Sequence, residues 1–317
     1  MPHDELDELI EAIDDDGPGA DVRRLLRDLP PADARRLLDH RMPHTISVRD
    51  FLYPGINRAI LEWFRCWWFE NSHDPGPPCD YGLRFAAAPD LGTLHPTKFR
   101  PEFGPVFYRG RLDGTAKLMV VGQDPSTDEQ LARRSFIGES GQRVQGLVRK
   151  TGLSRSYTIF NTFHVGMQGQ YGDGFEPIST TNPLLAWRNE LFDHAKATNP
   201  IFAVLTVGTA ARDAVDAWPG VAGLTRVHVT HPSAANFGNT GMFAGWSSAV
   251  SMLAGAISPD PGMTPDTTPY GTAFTTADVE DIPRRDLPWG IPDWFGRGGT
   301  TQSKREEAGK ELCWEAP

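Results

Sequence analysis

KLMVVGQDPS, Lys117 to Ser126, is the stretch on which the fold turns. Leu118 to Gly122 are all apolar or small, and Val120 and Val121 are β-branched. A short apolar run without polar alternation reads as a strand buried on both faces, the kind found in parallel sheets. Gly122 and Pro125 stop it. The strand therefore delivers one carboxylate, Asp124, to the carboxyl end of a sheet, where open α/β folds bind ligands. Taken alone, an Asp in a strand-end turn is ordinary structure, and the rest of the chain has to decide.

Working outward, strand and helix patterns alternate. The spacing predicts a helix over 140–151, a strand over 157–162 (YTIFNT), a Gly-rich loop over 164–183, and a helix over 184–197. It then predicts a strand over 201–207 (IFAVLTV), a helix over 209–217, a strand over 226–230 (RVHVT) and a helix over 242–255. Repeated β–α units imply right-handed crossovers and helices on both faces. The expected fold is α/β: a three-layer α/β/α sandwich around a central four-stranded parallel sheet, with an N-terminal helical extension. A structureless loop of some twenty residues at 164–183 is long enough to suspect a function.

The 317 residues suffice for one large domain or two small ones, and 39% hydrophobic content supports a sizeable core. The net charge of −10 has the wrong sign for a generic nucleic-acid binder. The charge is uneven. Residues 1–50 carry 13 acidic and 7 basic side chains, and residues 94–152 carry 10 basic and 6 acidic ones. A local basic surface is thus compatible with an acidic whole. Cys66, Cys79 and Cys313 are scattered and odd in number, which argues for a reducing compartment and against a disulfide framework. Their spacing fits neither zinc nor an iron–sulfur cluster, so no metal is expected. With no signal peptide and no long apolar run, the expected location is the cytoplasm, without membrane association.

Four segments follow from these shifts. Residues 1–45 read as an acidic helical extension, solvated or used to dock a protein partner. Residues 46–115 read as an aromatic-rich segment wrapped on the core. Its Phe51, Tyr53, Trp63, Phe64, Trp67, Trp68 and Phe69 fit either a core stripe or a base-stacking platform. Its Lys98, Arg100, Arg109 and Arg111 are candidate phosphate contacts. Residues 116–256 form the α/β core. Residues 257–317, rich in Pro, Thr and Gly, read as a loosely ordered tail, with Trp289, Trp294 and Trp314 as its candidate anchors.

Three of the four strands end in a chemically capable group: Asp124, Asn161 and His231. In a parallel sheet these ends share one edge, which gathers a carboxylate, an amide and an imidazole. Phe136 lies on the first βα loop, after the basic pair Arg133 and Arg134, placed to stack on a planar ligand. Each residue alone has an ordinary structural reading; their meeting at one edge does not.

Four motifs now come together: GQDP at 122–125, SFIGESGQRVQGLV at 135–148, IFN at 159–161 and HPSAAN at 231–236. In this order they resemble the uracil-DNA glycosylase superfamily over about residues 116–255. The first motif looks like that of the family-1 enzymes, and FIGESGQ looks like the FVGRAGQ of thermophilic bacterial members. The resemblance implies a monofunctional DNA glycosylase that hydrolyses the N-glycosidic bond of a flipped pyrimidine, without a cofactor and acting as a monomer on double- or single-stranded DNA. It implies Asp124 and His231 as catalytic groups. Gln123, Phe136, Asn161 and Ser126 would form the base pocket, and Ser233, Asn236, Phe237, Arg133 and Arg134 would contact DNA.

The departures concern the substrate. Family-1 enzymes carry a Tyr after the GQDP proline that blocks substituents at pyrimidine C5; here Ser126 stands there. The intercalating leucine of the HPS loop is replaced by Ala234-Ala235-Asn236-Phe237, with Phe237 the candidate wedge. The cluster-binding cysteines of the thermophilic type are absent. Uracil and C5-modified pyrimidines are both open as targets, and so is excision of a bulky, even glucosylated, cytosine from phage DNA in antiviral defence. A reading of another class is a catalytically weak module that binds damaged or modified DNA. In a third, the fold is a scaffold whose acidic N-terminal helices hold a protein partner.

Overall fold

Residues 73–233, 240–288, 290–291 and 295–296 are described by the structure, a computed structural model. The expected helical extension at 1–45, the aromatic residues from Phe51 to Phe69, Asn236, Phe237 and the three tail tryptophans lie outside the described residues. In chain order, α1 (Cys79–Ala86) and α2 (Leu91–Leu94) precede β1 (Phe99–Arg100) and β2 (Tyr108–Gly110). The core continues with β3 (Leu118–Gly122), α3 (Thr127–Ala132), α4 (Glu139–Lys150), β4 (Tyr157–Asn161), β5 (Gly166–Met167) and α5 (Glu176–Ser179). It ends with α6 (Leu184–Thr198), β6 (Ala203–Val207), α7 (Thr209–Asp216), β7 (Thr225–Val229) and α8 (Thr240–Ala256).

All five residues of β3 are buried, as an unalternating apolar run requires when both faces are covered. Leu118 and Val120 pack on one side against Val144, Leu147, Trp246 and Leu253 of α4 and α8. Met119 and Val121 pack on the other against Phe192, Ala211 and Val215 of α6 and α7. Helices therefore cover both faces of the sheet. The four parallel strands stand where the sequence places them, but the sheet is not the four-stranded parallel one expected. It has five strands in the order β2-β4-β3-β6-β7, and β2 runs antiparallel to β4 at one edge. Three residues, Tyr-Arg-Gly, are too few for a periodic signal. Arg109 at their centre is a poor strand candidate until Asp286, far along the chain, neutralises it at 3.2 Å.

Register places the site. Gly122 pairs with Asn161 across β3 and β4, and Val207 with Val229 across β6 and β7. The chemistry-bearing residues follow at the same edge: Asp124 two positions beyond Gly122, and His231 two beyond Val229. A slip of one residue would turn every inward side chain of the slipped strand to the opposite face.

Two segments are better ordered than their composition suggests. Within 164–183, β5 pairs antiparallel with β1 to make a separate ribbon, and Phe163, Val165, Tyr171 and Phe175 pack with Phe99 and Leu91. Residues 257–288, read as a loose tail, are tied to the core. Asp260 accepts the backbone N–H groups of Ser154, Arg155 and Ser156 at 2.9, 2.9 and 3.1 Å, and Asp266 holds Lys150 at 2.7 Å. Asp286 meets Arg109, Arg111 and the Tyr157 hydroxyl. The segment's order rests on carboxylates satisfying distant donors, which a count of apolar residues does not register.

Candidate active site

Asp124 sits where β3 has ended and α3 has not yet begun. One carboxylate oxygen accepts the backbone N–H of Met167 at 2.8 Å, and the other accepts the Gln123 side-chain amide at 3.1 Å. The first bond ties the Asp124 turn to the β1–β5 ribbon. Burial pushes the Asp124 carboxyl above its ordinary value, while these two donors and the Arg100 charge pull the other way. A carboxylate with little water and no ion-pair partner is a strong acceptor, suited to orienting a water molecule or facing a developing cation.

Asn161 ends β4 as a buried residue, and neither its Oδ1 nor its Nδ2 has a hydrogen-bond partner. A buried primary amide with both faces unsatisfied is costly unless something else completes it. The Phe136 ring lies beside it. A Cβ at position 122 would run into Cε2 and Cζ of Phe136 and into Oδ1 of Asn161, so only glycine lets ring and amide approach the strand end. Phe136 itself is buried, adopts a left-handed backbone with φ of 55°, and has its carbonyl pressed on Gly141, where a Cβ would also collide.

Glu129, which sequence reasoning missed, holds this arrangement together. Its Oε1 accepts the Phe136 N–H at 2.6 Å and its Oε2 the Ser126 N–H at 3.1 Å. The second bond is half of a capping box at the start of α3, and the Ser-x-x-Glu spacing 126–129 was its legible signal. Burial drives the Glu129 carboxyl up to about 8, helped by the nearby Asp124 charge and opposed by the two N–H donors. At neutral pH this favours the protonated form of Glu129.

His231 follows β7 and lies 6.2 Å from Phe136 between ring centroids. Its Nδ1 accepts the backbone N–H of Ser233 at 3.3 Å, and the Ser233 hydroxyl stands 2.9 Å from the same nitrogen. A backbone N–H only donates, so the ring proton rests on Nε2. Burial, together with the Arg143 charge, pushes His231 down to about 4. Arg143 in turn donates to the Pro232 carbonyl at 2.8 Å and pairs with Glu139. The site thus presents a neutral imidazole with its proton on the free nitrogen.

The remaining expected residues divide. Ser126 is exposed at the start of α3, and it borders a cavity of about 160 Å³ with Asp128, Glu129, Gly138, Glu139, Ser140 and Gly141. Gln123 orients Asp124 through its amide. The Ser233 hydroxyl, expected on a phosphate, lies on His231 and 3.3 Å from the Ser140 hydroxyl. Arg133 is exposed, with a long 3.5 Å contact to the Pro105 carbonyl. Arg134 is not on that surface: it is buried, bonded to Asp74 at 2.6 Å and stacked over Tyr108. Arg109 and Arg111 are likewise taken up by Asp286, at 3.2 and 2.5 Å. A basic side chain in a sequence does not announce a buried counter-ion supplied from elsewhere. Among the described residues, no cluster of three or more metal-ligating side chains occurs and no helix is long and apolar enough to cross a membrane.

Residues 109–248 match the model of the uracil DNA glycosylase superfamily, a span that contains Asp124, Phe136, Asn161 and His231. No curated protein sequence matches the chain. This matched domain supports membership of the uracil-DNA glycosylase superfamily and, in general terms, a DNA glycosylase, a hydrolase with DNA as its substrate.

Proposed function

We propose that the protein is a monofunctional DNA glycosylase that hydrolyses the N-glycosidic bond of a flipped pyrimidine, uracil or a C5-modified base, and leaves an abasic site. The observation that carries this reading is the Asn161 amide, buried beside the Phe136 ring with both polar atoms unpartnered. A pyrimidine edge offers an adjacent donor and acceptor, which one amide matches. In the proposed reaction the base stacks on Phe136 and its edge meets Asn161. Asp124 orients water toward the sugar C1′ and faces the oxocarbenium-like transition state. As the bond breaks, the base leaves with negative charge, and the Nε2–H of neutral His231 donates to it. A neutral donor keeps its proton while stabilising the anion, and burial holds His231 neutral above about pH 4.

A second reading is favoured by the cavity next to Ser126. The small Ser126 side chain, where family-1 enzymes carry a Tyr, borders this opening. Its lining of hydroxyl and carboxyl groups suits a polar, hydroxyl-bearing C5 substituent, the chemistry of a hydroxymethylated or glycosylated cytosine and of phage defence.

Abasic-site formation on oligonucleotides carrying uracil, a thymine mismatch, 5-hydroxymethylcytosine or its glucosylated form tests both readings. Release of at least one base, lost in Asp124→Asn, is expected. Ser126→Tyr should confine release to bases without a C5 substituent, and an unchanged range would remove the second reading. Tight binding without release from any substrate would overturn the first and favour a binding module.

A further inference from the structure

We propose that the turn Arg100–Gly104 at the end of β1, together with Arg133, is the surface that grips the DNA strand beside the extruded nucleotide. Arg100 and Arg133 would meet phosphates, and the Phe103 ring would pack on a neighbouring base. The inference rests on the glycosylase reading above.

Elimination points to this surface. Six of the ten Lys and Arg residues between 94 and 152 are in ion pairs: Arg109, Arg111, Lys117, Arg134, Arg143 and Lys150. Among the described residues, Lys98, Arg100, Arg133 and Arg149 have no carboxylate partner. Arg149 contacts the Met263 sulfur, on the segment that follows α8. Lys98 donates to the Asp173 carbonyl and lies over the Phe175 ring, which leaves Arg100 and Arg133 as the cations of this surface. Arg100 pairs with Gly166 across the ribbon, and the next pair along, Phe99 with Met167, supplies the N–H that holds Asp124. A Cβ on Gly166 would stand 3.1 Å from the Pro125 carbonyl, so the ribbon lies against the catalytic turn itself. Arg133 joins from the other side: Gly104 has φ of 68°, and a Cβ there would stand 2.5 Å from its Nη1. The glycine makes room for the guanidinium. Glu102, exposed in the same turn, opposes these charges, leaving two net positives among Lys98, Arg100, Glu102 and Arg133.

Phe103 supplies the apolar part. Among the described residues the exposed phenylalanines are Phe103 at 38% and Phe202 at 49%. Phe202 precedes β6 and so lies at the amino edge of the sheet, away from the site. Phe103 ends a 3₁₀ turn opened by Pro101, a short rigid mount close to the carboxyl-edge chemistry. An exposed ring beside free cations is the pairing that single-stranded and distorted DNA engages: phosphates on the cations, a base face on the ring.

The test is fluorescence anisotropy with a labelled duplex carrying one tetrahydrofuran abasic-site analogue, between about 50 and 200 mM salt. Arg100→Gln and Arg133→Gln should each reduce the slope of log Kd against log salt by about 0.9. Phe103→Ala should weaken binding about tenfold at every salt concentration with the slope unchanged. Arg149→Gln should match the wild type throughout. Single-turnover excision at saturating protein should stay within about twofold for Arg149→Gln, the control outside this surface. Wild-type slopes in the Arg100/Arg133 double variant and wild-type affinity in Phe103→Ala, in a protein that still excises its base, would overturn the inference alone. A wild-type protein that neither binds nor cleaves DNA would overturn the glycosylase reading and this inference with it.

Discussion

Asp286, fully buried, and Asp124, half-buried, lie at opposite edges of one sheet, and they are treated in opposite ways. Asp286, at the amino edge below β4, receives two guanidinium groups and a tyrosine hydroxyl. Asp260, also at that edge, collects three backbone N–H groups and a lysine and is held down to about 2. Asp124, at the carboxyl edge, receives one backbone N–H and one neutral amide, and burial raises it. A carboxylate saturated with donors is stable and inert. One left short of donors costs stability and keeps its capacity for a reacting group. The amino edge is built to hold the fold, and the carboxyl edge keeps polar groups free for a substrate.

Substitutions that exchange the two behaviours test the contrast. Asp124→Asn is expected to lower single-turnover excision by about 10³- to 10⁴-fold, with a melting temperature equal to or above the wild type, since it removes a poorly solvated charge. A loss under tenfold would break the comparison at its functional end. Asp286→Asn should do the reverse. It strands Arg109 and Arg111 without their anion and should cost about 3–5 kcal/mol in denaturant unfolding, with excision per folded molecule within about threefold. Unchanged stability there would break it at its structural end. His231→Ala should cost about 10²- to 10³-fold in rate with little change in stability, measured in the same two assays.

Smaller effects follow from pH. His231 and His164 both sit near 4 in the folded protein, against 6.5 ordinarily, so between these values the unfolded chain binds protons that the folded one refuses. Stability should fall as pH is lowered from about 6.5 toward 4, and His164→Gln should make a thermal-melt series shallower across that window. Glu129 acts in the opposite sense. It keeps its proton up to about 8 when folded and releases it near 4.5 when unfolded, so its contribution is lost as pH rises between those values. Glu129→Gln should flatten that arm; a pH series identical to wild type would show that Glu129 is ionised in the fold.

Much of the carboxyl edge was legible. Apolar runs gave the positions of β3, β4, β6 and β7 to within about two residues, and a parallel sheet brings their ends together whatever the details. Asp124, Asn161 and His231 were readable as neighbours for that reason. The supports were not. Met167 contributes a backbone N–H, which carries no side-chain signature. Arg134, Arg109 and Arg111 looked like phosphate ligands because Asp74 and Asp286 lie 60, 177 and 175 positions away from them. The strand Tyr108–Gly110 and the ordering of 257–288 escaped for the same reason: each depends on ion pairs between distant segments.

By itself, then, the sequence determined the alternating β–α architecture, the strand ends that carry chemistry and the superfamily they resemble, because hydrophobic periodicity and short motifs are local properties of the chain. Only the tertiary structure decided which charges are free and which are already neutralised, which proton His231 carries, and that the Asn161 amide is left without partners. Those are properties of burial and of donors brought from far along the chain, and no local pattern encodes them.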